Sequence, residues 1–277
     1  VFFTNSGTEA CELAIKMARK YWFEKGYPDK FEIITFEGSF HGRSSAGIAA
    51  TASEKMTKGF GPLLPGFVNI NLNDHEAIKT AISDKTAAIL IEPIQGEGGI
   101  RVLPESFLKE IRKICDQKNI LLILDEVQCG VGRTGKLFAH EWVEIEPDIM
   151  MVAKGIGGGF PLGAVLAKED AASGMTAGTH GSTYGGNPLG CSIGLKVMDI
   201  ISDPDFLYDV NRKAKLFHDG LLELLKKNTS IFEEVRGKGL MLGLKCKVKN
   251  IDVVNAGYSN KLLTVPAGDN VVRILPP

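Results

Sequence analysis

The chain has 277 residues, 44% of them hydrophobic and 23% charged, with a formal net charge of −1. That length buries a sizeable core and accommodates one or two domains. The near-neutral balance argues against a nucleic-acid binder, which would carry a basic excess or stripe, and no apolar run approaches membrane-spanning length.

In chain order, the sequence opens on VFFTNSG, a strand and its turn met mid-course, with no initiator methionine. It closes on VVRILPP, directly after an apolar run, and we expect both ends to be cut. The turn Asn5–Thr8 leads into a helix expected over Glu9–Gly26. The free N–H groups and dipole of such a helix end attract anions, and Gly7 lets a ligand approach the backbone. Plain capping by Ser6 or Thr8 accounts for the same residues.

A strand is expected over Glu32–Phe36, followed by the turn-rich GSFHGRSSAG. Phe40 can stack on a flat ring and Arg43 can hold a carboxylate bidentately; a packed loop with a surface arginine is the plainer reading. A second strand, Ala87–Glu92, runs into IEPIQGEGG, which brings Glu97 to the strand's exit, a solvated turn by default. In the helix expected over Pro104–Asn119, Phe107, Leu108, Ile111, Ile114 and Cys115 recur at helical spacing.

The strand Ile120–Asp125 ends in two carboxylates, Asp125 and Glu126. Burying a carboxylate is costly unless something pairs with it, so the acids are either solvated at the exit or meet a cation there. The strand Ile149–Ala153 delivers Lys154 to a glycine-rich turn. Partial desolvation there favours a neutral, nucleophilic amine, whereas a snorkelling lysine is the bland alternative. After a strand at Ala164–Ala167, the loop GTHGSTYGGNPLGC offers the hydroxyls of Ser182 and Thr183, either to a phosphate or to solvent. Helices are expected over Asn187–Ile201 and Asp209–Asn228, then two short strands in FEEVRGKGLMLGLKCKV.

Strands alternating with helices give an α/β fold with a mostly parallel sheet sandwiched by helices. Ligands of such sheets bind beyond the carboxyl ends of the strands, where Asp125 sits. The texture changes near residue 200, so residues 1–200 are expected as a large α/β domain and residues 201–277 as part of a smaller C-terminal α+β domain. The five cysteines (Cys11, Cys115, Cys129, Cys191, Cys246) are scattered without a C-x-x-C pair. No metal site and no disulfide framework are expected, and a reducing compartment fits.

Together the motifs describe a flat, phosphate-bearing ligand whose ring nitrogen wants a carboxylate and whose aldehyde wants a lysine. NSGTEA, FHGR, EPIQGEGG, LLILDEVQCGVGRTGKLFAHE, PDIMMVAKGIGGGFPLGA, HGSTYGGNPL and VVRILPP resemble, in order and spacing, the class III aminotransferases of the fold-type I pyridoxal-phosphate superfamily, most of all their acetylornithine-transaminating members. Asp125 to Lys154 and Lys154 to Thr183 are each 29 positions. The resemblance implies pyridoxal 5'-phosphate (PLP), with Lys154 carrying it as a Schiff base and then moving the proton. It implies that Gly7 and Thr8 hold the phosphate and Phe40 stacks on the ring. Asp125 pairs with the ring nitrogen, Gln128 bonds the phenolic oxygen, and Val127 lies among the cofactor contacts. Arg43 and Arg273 would clamp substrate carboxylates, with Glu97 neutralising Arg273 when another substrate end enters. Ser182 and Thr183 would reach the neighbouring subunit's site, which implies a homodimer with shared active sites.

The implied reaction takes N-acetylornithine and 2-oxoglutarate to N-acetylglutamate 5-semialdehyde and glutamate, a step of arginine biosynthesis in the cytoplasm, or in mitochondria for a eukaryotic chain. Ornithine, succinylornithine or 4-aminobutyrate are alternative donors. An aminomutase of the same fold is disfavoured by FHGR and QGEGG, and an inactive fragment by the presence of Lys154 and Asp125. No nucleic-acid or membrane partner is expected.

Overall fold

The computed structural model describes residues 1–72 and 74–277. Its strands are β1 (Phe2–Thr4), β2 (Glu32–Phe36), β3 (Phe67–Ile70), β4 (Thr86–Ile91), β5 (Ile94–Gln95), β6 (Arg101–Val102), β7 (Leu121–Asp125), β8 (Ile149–Val152), β9 (Gly163–Ala167), β10 (Phe232–Lys238), β11 (Met241–Cys246), β12 (Val265–Ala267) and β13 (Val271–Ile274). The helices are α1 (Gly7–Glu24), α2 (Ser45–Thr51), α3 (Glu54–Thr57), α4 (His75–Ala81), α5 (Glu105–Lys118), α6 (Glu169–Ala172), α7 (Pro188–Ile201), α8 (Pro204–Lys227) and α9 (Asn250–Ser259).

Seven strands form the main sheet in the order β1-β9-β8-β7-β4-β2-β3. Neighbours from β8 to β3 pair in parallel, while β9 is antiparallel to both β8 and β1. β1 therefore runs the same way as the parallel set, and six strands deliver their carboxyl ends to one edge. The expected mostly parallel sheet is present, and its central strands read as unbroken apolar runs because both faces are covered.

Alternation along each strand sorts the core into two layers. Ile33, Leu90, Ile123 and Met151 face α1, which buries Ala10, Leu13, Ala14, Met17, Ala18 and Trp22 against them. Ile34, Phe36, Ile89, Ile91, Leu122 and Leu124 face α5, which contributes Phe107, Leu108, Ile111 and Cys115. Full burial of each such large side chain stabilises the fold by roughly 1.5–3 kcal/mol before its ordering entropy is subtracted.

A second, antiparallel sheet has the order β10-β11-β13-β12. Leu221 of α8 and Val254 of α9 pack on its Phe232, Leu242, Leu244 and Val272. Its other side meets the main body through Met241 and Val271, which cluster with Ile94, Ile100, Cys129 and Ala139. Among the described residues no helix is long and apolar enough to cross a membrane.

Candidate active site

Five strand ends build one cavity of about 370 Å³. β1 hands over to Asn5, Ser6 and the first turn of α1; β2 to the loop with Phe40 and His41; β4 to Glu92. β7 supplies Asp125 and then Val127 and Gln128, and β8 supplies Ala153 and Lys154, with the Gly159–Leu162 turn closing the lining. Such a convergence is what a parallel sheet does for residues placed just past its strands.

Asp125 is buried, 5% exposed. As the residue after Leu124, its side chain emerges on the α1 face of the sheet. Oδ2 lies 2.8 Å from His41 Nδ1 and Oδ1 accepts the Val127 N–H at 3.0 Å. His41 is itself buried, its backbone N–H donates to Thr51 Oγ1 at 3.2 Å, and its Nε2 has no partner. Glu126 points away from the cavity. Its oxygens accept the N–H groups of Ala139 at 2.6 Å and His140 at 2.9 Å, and Oε1 lies 2.7 Å from His140 Nδ1. The two adjacent acids thus split between a pocket and the return of the loop that follows β7.

At the α1 end, Ser6 is the cap, accepting the Glu9 N–H at 3.2 Å, and Glu9 folds back to the Asn5 N–H at 2.7 Å. The first N–H groups of the helix, including those of Gly7 and Thr8, have no acceptor within the helix. A Cβ on Gly7 would stand 2.7 Å from Val127 Cγ1, so the cradle between α1 and the β7 loop has no room for one. Lys154 follows β8 in a left-handed conformation, φ 48°, a strained setting for a side-chain-bearing residue. Its side chain lines the cavity and is exposed in the single chain.

Arg273, in the middle of β13, is buried, with Nη1 donating to Glu97 Oε1 at 2.7 Å and to Gln128 Oε1 at 3.5 Å. Gln128 lines the cavity, so this ion pair sits directly behind the cavity wall. Glu97 itself sits in a turn with its side chain 41% exposed, so it is part-solvated as well as paired. Glu92 accepts the N–H groups of Phe40 at 2.8 Å and Gly96 at 3.3 Å; burial and the nearby charge of Asp125 push its carboxyl up to about 7.

A family model described as Aminotransferase class-III matches residues 1–277. The chain belongs to the class-III aminotransferases. It is 66% identical over 276 residues to an acetylornithine aminotransferase of Rhodobacter capsulatus, covering 100% of this chain and 70% of that one. Among solved structures it is similar to an ornithine aminotransferase of Toxoplasma gondii, crystallised with oxidised glutathione and with PLP at partial occupancy in its active site (TM-score 0.94, 35% identity, 100% of this chain and 67% of that one). It is also similar to the N-acetylornithine aminotransferase of Stenotrophomonas maltophilia (TM-score 0.84, 38% identity, 99% and 68%).

In this class-III aminotransferase the cavity gathers Gly7, Thr8, Phe40, Asp125, Val127, Gln128 and Lys154 from the residues singled out in the sequence. Arg43 and Glu97 line a neighbouring cavity that shares Phe40, and the Arg43 guanidinium carbon lies 5.5 Å from the Phe40 ring centroid. Ser182 and Thr183 are not brought to Lys154 within one chain. They line a separate cleft with Asn5, Thr8 and Glu12, where Ser182 Oγ accepts from Asn5 Nδ2 at 3.2 Å. Two buried groups of the cavity were not singled out: His41 and Glu92. Their signals were present, the imidazole inside FHGR and the first acid of EPIQGEGG.

Proposed function

We propose that this class-III aminotransferase moves the distal amino group of N-acetylornithine to 2-oxoglutarate, giving N-acetylglutamate 5-semialdehyde and glutamate, with PLP as resident cofactor. The observation that carries the chemistry is that Asp125 and Lys154 open into one cavity capped by a helix amino end. The donor is supported by the relative that is 66% identical and named for acetylornithine.

The residues present fit PLP. The helix end at Gly7 and Thr8 offers unpaired N–H groups to a phosphate, Phe40 offers a ring face, and Asp125 offers a carboxylate already oriented by His41. PLP, when bound, supplies a carbonyl group for the substrate amine and a ring that withdraws electrons from the reacting carbon. The chain does the rest. Asp125 would hold a proton on the ring nitrogen, and Gln128 would bond the phenolic oxygen. Lys154 would hold the cofactor through Nζ and, once freed by the substrate amine, would serve as the base that moves the proton. Arg273 binds the carboxylate of glutamate or 2-oxoglutarate. Glu97 neutralises it when a different substrate end enters, since a buried guanidinium left unpaired is costly. Arg43 holds the second carboxylate.

The same reading makes the enzyme a homodimer in which Ser182 and Thr183 complete the partner's site, Thr183 at its phosphate. It takes residues 201–277 as part of a smaller domain that carries Arg273, and sets the reaction in arginine biosynthesis in the cytoplasm.

The test is an absorbance titration of the PLP-loaded protein with N-acetylornithine, ornithine and 4-aminobutyrate in turn. Bleaching of the cofactor band by N-acetylornithine at the lowest concentration is expected. Bleaching by another amine first would change the donor and keep the chemistry, and a protein that shows no cofactor band would end the reading.

A further inference from the structure

Arg236 has no part in the mechanism above, yet it lies in one row with Arg273. In the antiparallel sheet Arg236 of β10 stands opposite Gly243 of β11, and Gly243 stands opposite Arg273 of β13. Directly opposed residues send their side chains to the same face, so two arginines flank a glycine on one side of the sheet. Turn 96–100, which joins β5 to β6, sits in that gap: a Cβ on Gly243 would stand 3.0 Å from Ile100 Cγ1.

The two arginines hold opposite ends of this turn. Arg273 Nη1 donates to the Glu97 carboxylate at 2.7 Å. Arg236 Nη1 donates to the Gly99 carbonyl at 3.3 Å and to Asp269 Oδ2 at 2.6 Å, and its Nε donates to Glu234 Oε2 at 2.7 Å. Asp269 adjoins Gly268, whose N–H donates to the Glu97 carbonyl at 2.8 Å. One guanidinium thus reaches the turn twice, directly through Gly99 and again through the segment that bonds Glu97 itself. The Arg236 side chain is 16% exposed and that of Glu97 is 41% exposed. A carboxylate that open is not fixed by burial; its backbone and its partner Arg273 set its place.

We propose that Arg236 is a positioning residue that sets where Glu97 stands against Arg273, and thereby how readily that pair opens to a substrate carboxylate. This rests on the exchange reading proposed for Glu97 and Arg273. With the turn held, Glu97 neutralises Arg273 and favours a substrate end that carries no carboxylate. With the turn loosened, Arg273 stands free more of the time. A ligand's apparent affinity scales with the population of the state that accepts it, so glutamate gains and N-acetylornithine loses.

The test reads affinities from bleaching of the cofactor band of the PLP-loaded protein by glutamate and, separately, by N-acetylornithine. Arg236→Gln should bind glutamate about threefold to tenfold more tightly and N-acetylornithine more weakly by a similar factor, the scale of one lost charge-assisted hydrogen bond. Arg236→Lys should restore part of both shifts. Asp269→Asn keeps a residue type that tolerates the left-handed backbone found there, φ 51°. It should move each affinity in the direction of Arg236→Gln by less, and it serves if that variant does not fold. A change of both affinities in one direction, or of neither, would overturn the proposal, because a general loosening of the site does not favour one substrate over the other. In the cofactor-free protein, hydrogen exchange at the Gly268 amide should quicken in Arg236→Gln; unchanged exchange would overturn it as well. Glu97→Gln tests the exchange pair itself. It should give the same opposed shifts, and adding Arg236→Gln to it should give little more. Equal effects on both substrates in Glu97→Gln would remove the exchange pair and the proposal with it, whereas opposed shifts there and none in Arg236→Gln would strike the role of Arg236 alone.

Discussion

Asp125 and Glu126 have the same side-chain chemistry and serve different parts of the molecule. Strand alternation sends one to the α1 face, where His41 and a backbone N–H hold it, and the other to the N–H groups of Ala139 and His140. On the proposed reading, replacing Asp125 by Ala removes the charge that would keep the cofactor's ring nitrogen protonated, and it leaves His41 buried without its partner. Turnover should fall about 10²–10³-fold, the scale of other lost electrostatic contacts to developing charge, while circular dichroism stays native; near-normal turnover would show that another group serves the ring. Lys154→Ala should abolish the lysine-bound cofactor band altogether, read directly by absorbance, and a variant that keeps the band would move the anchor elsewhere. Arg273→Ala should raise the KM for 2-oxoglutarate far more than that for N-acetylornithine, because it removes the buried guanidinium paired with Glu97. An equal rise for both substrates would remove Arg273 from carboxylate recognition.

Among the elements, the two long helices begin earlier than their apolar pattern suggests, for the same reason. α1 starts at Gly7 rather than Glu9 because the Ser6 side chain already caps it. α8 starts at Pro204 rather than Asp209 because Asp203 Oδ1 accepts the Asp205 N–H at 2.8 Å and Pro204 opens the first turn. The Asp-Pro pair is a readable start signal of a kind that hydrophobic periodicity does not register. Asp203→Ala should therefore lower stability by about 1 kcal/mol, as a shift in the urea midpoint without loss of activity; no shift would mean that the cap is satisfied by water. α4 carries a cap of the same kind, Asp74 Oδ1 accepting the Ala77 N–H at 2.8 Å, but α4 and α9 are short, each with one buried side chain, Ile78 and Val254, so neither shows an apolar period.

At the scale of the whole molecule, the buried carboxyl of Glu92 links stability to pH. Its folded-state value is raised, from 4.5 to about 7, so the folded chain favours the protonated form. The stability it lends is fully present below the unfolded value and is lost as pH rises through the folded one. The cofactor-free protein should therefore lose a few kcal/mol across that window, seen as a falling thermal midpoint, and Glu92→Gln should flatten the slope. An unchanged slope in the variant would assign the pH dependence to other groups. Tyr184, Leu189 and Leu195, in and just before α7, are exposed in the single chain, an arrangement that the proposed homodimer accommodates.

The sequence by itself determined the central strands of the main sheet and the residues at their ends, but not the edge strand β3 or the short β12. Parallel strands covered on both faces must be continuous apolar runs, and a polar residue directly after such a run stands out: Asp125 after Leu121–Leu124, Lys154 after β8. It also determined the family, because motifs spread along the whole chain keep their order and spacing. Only the tertiary structure decided partners. His41 meets Asp125 across 84 positions with no motif to announce it, whereas the Arg273–Glu97 pair, 176 positions apart, is implied by the family resemblance and not by the residues alone. Alternation tells which face of a strand a side chain takes, but not which loop arrives opposite it. That depends on strand order and register, and both are set by the packing of the whole chain.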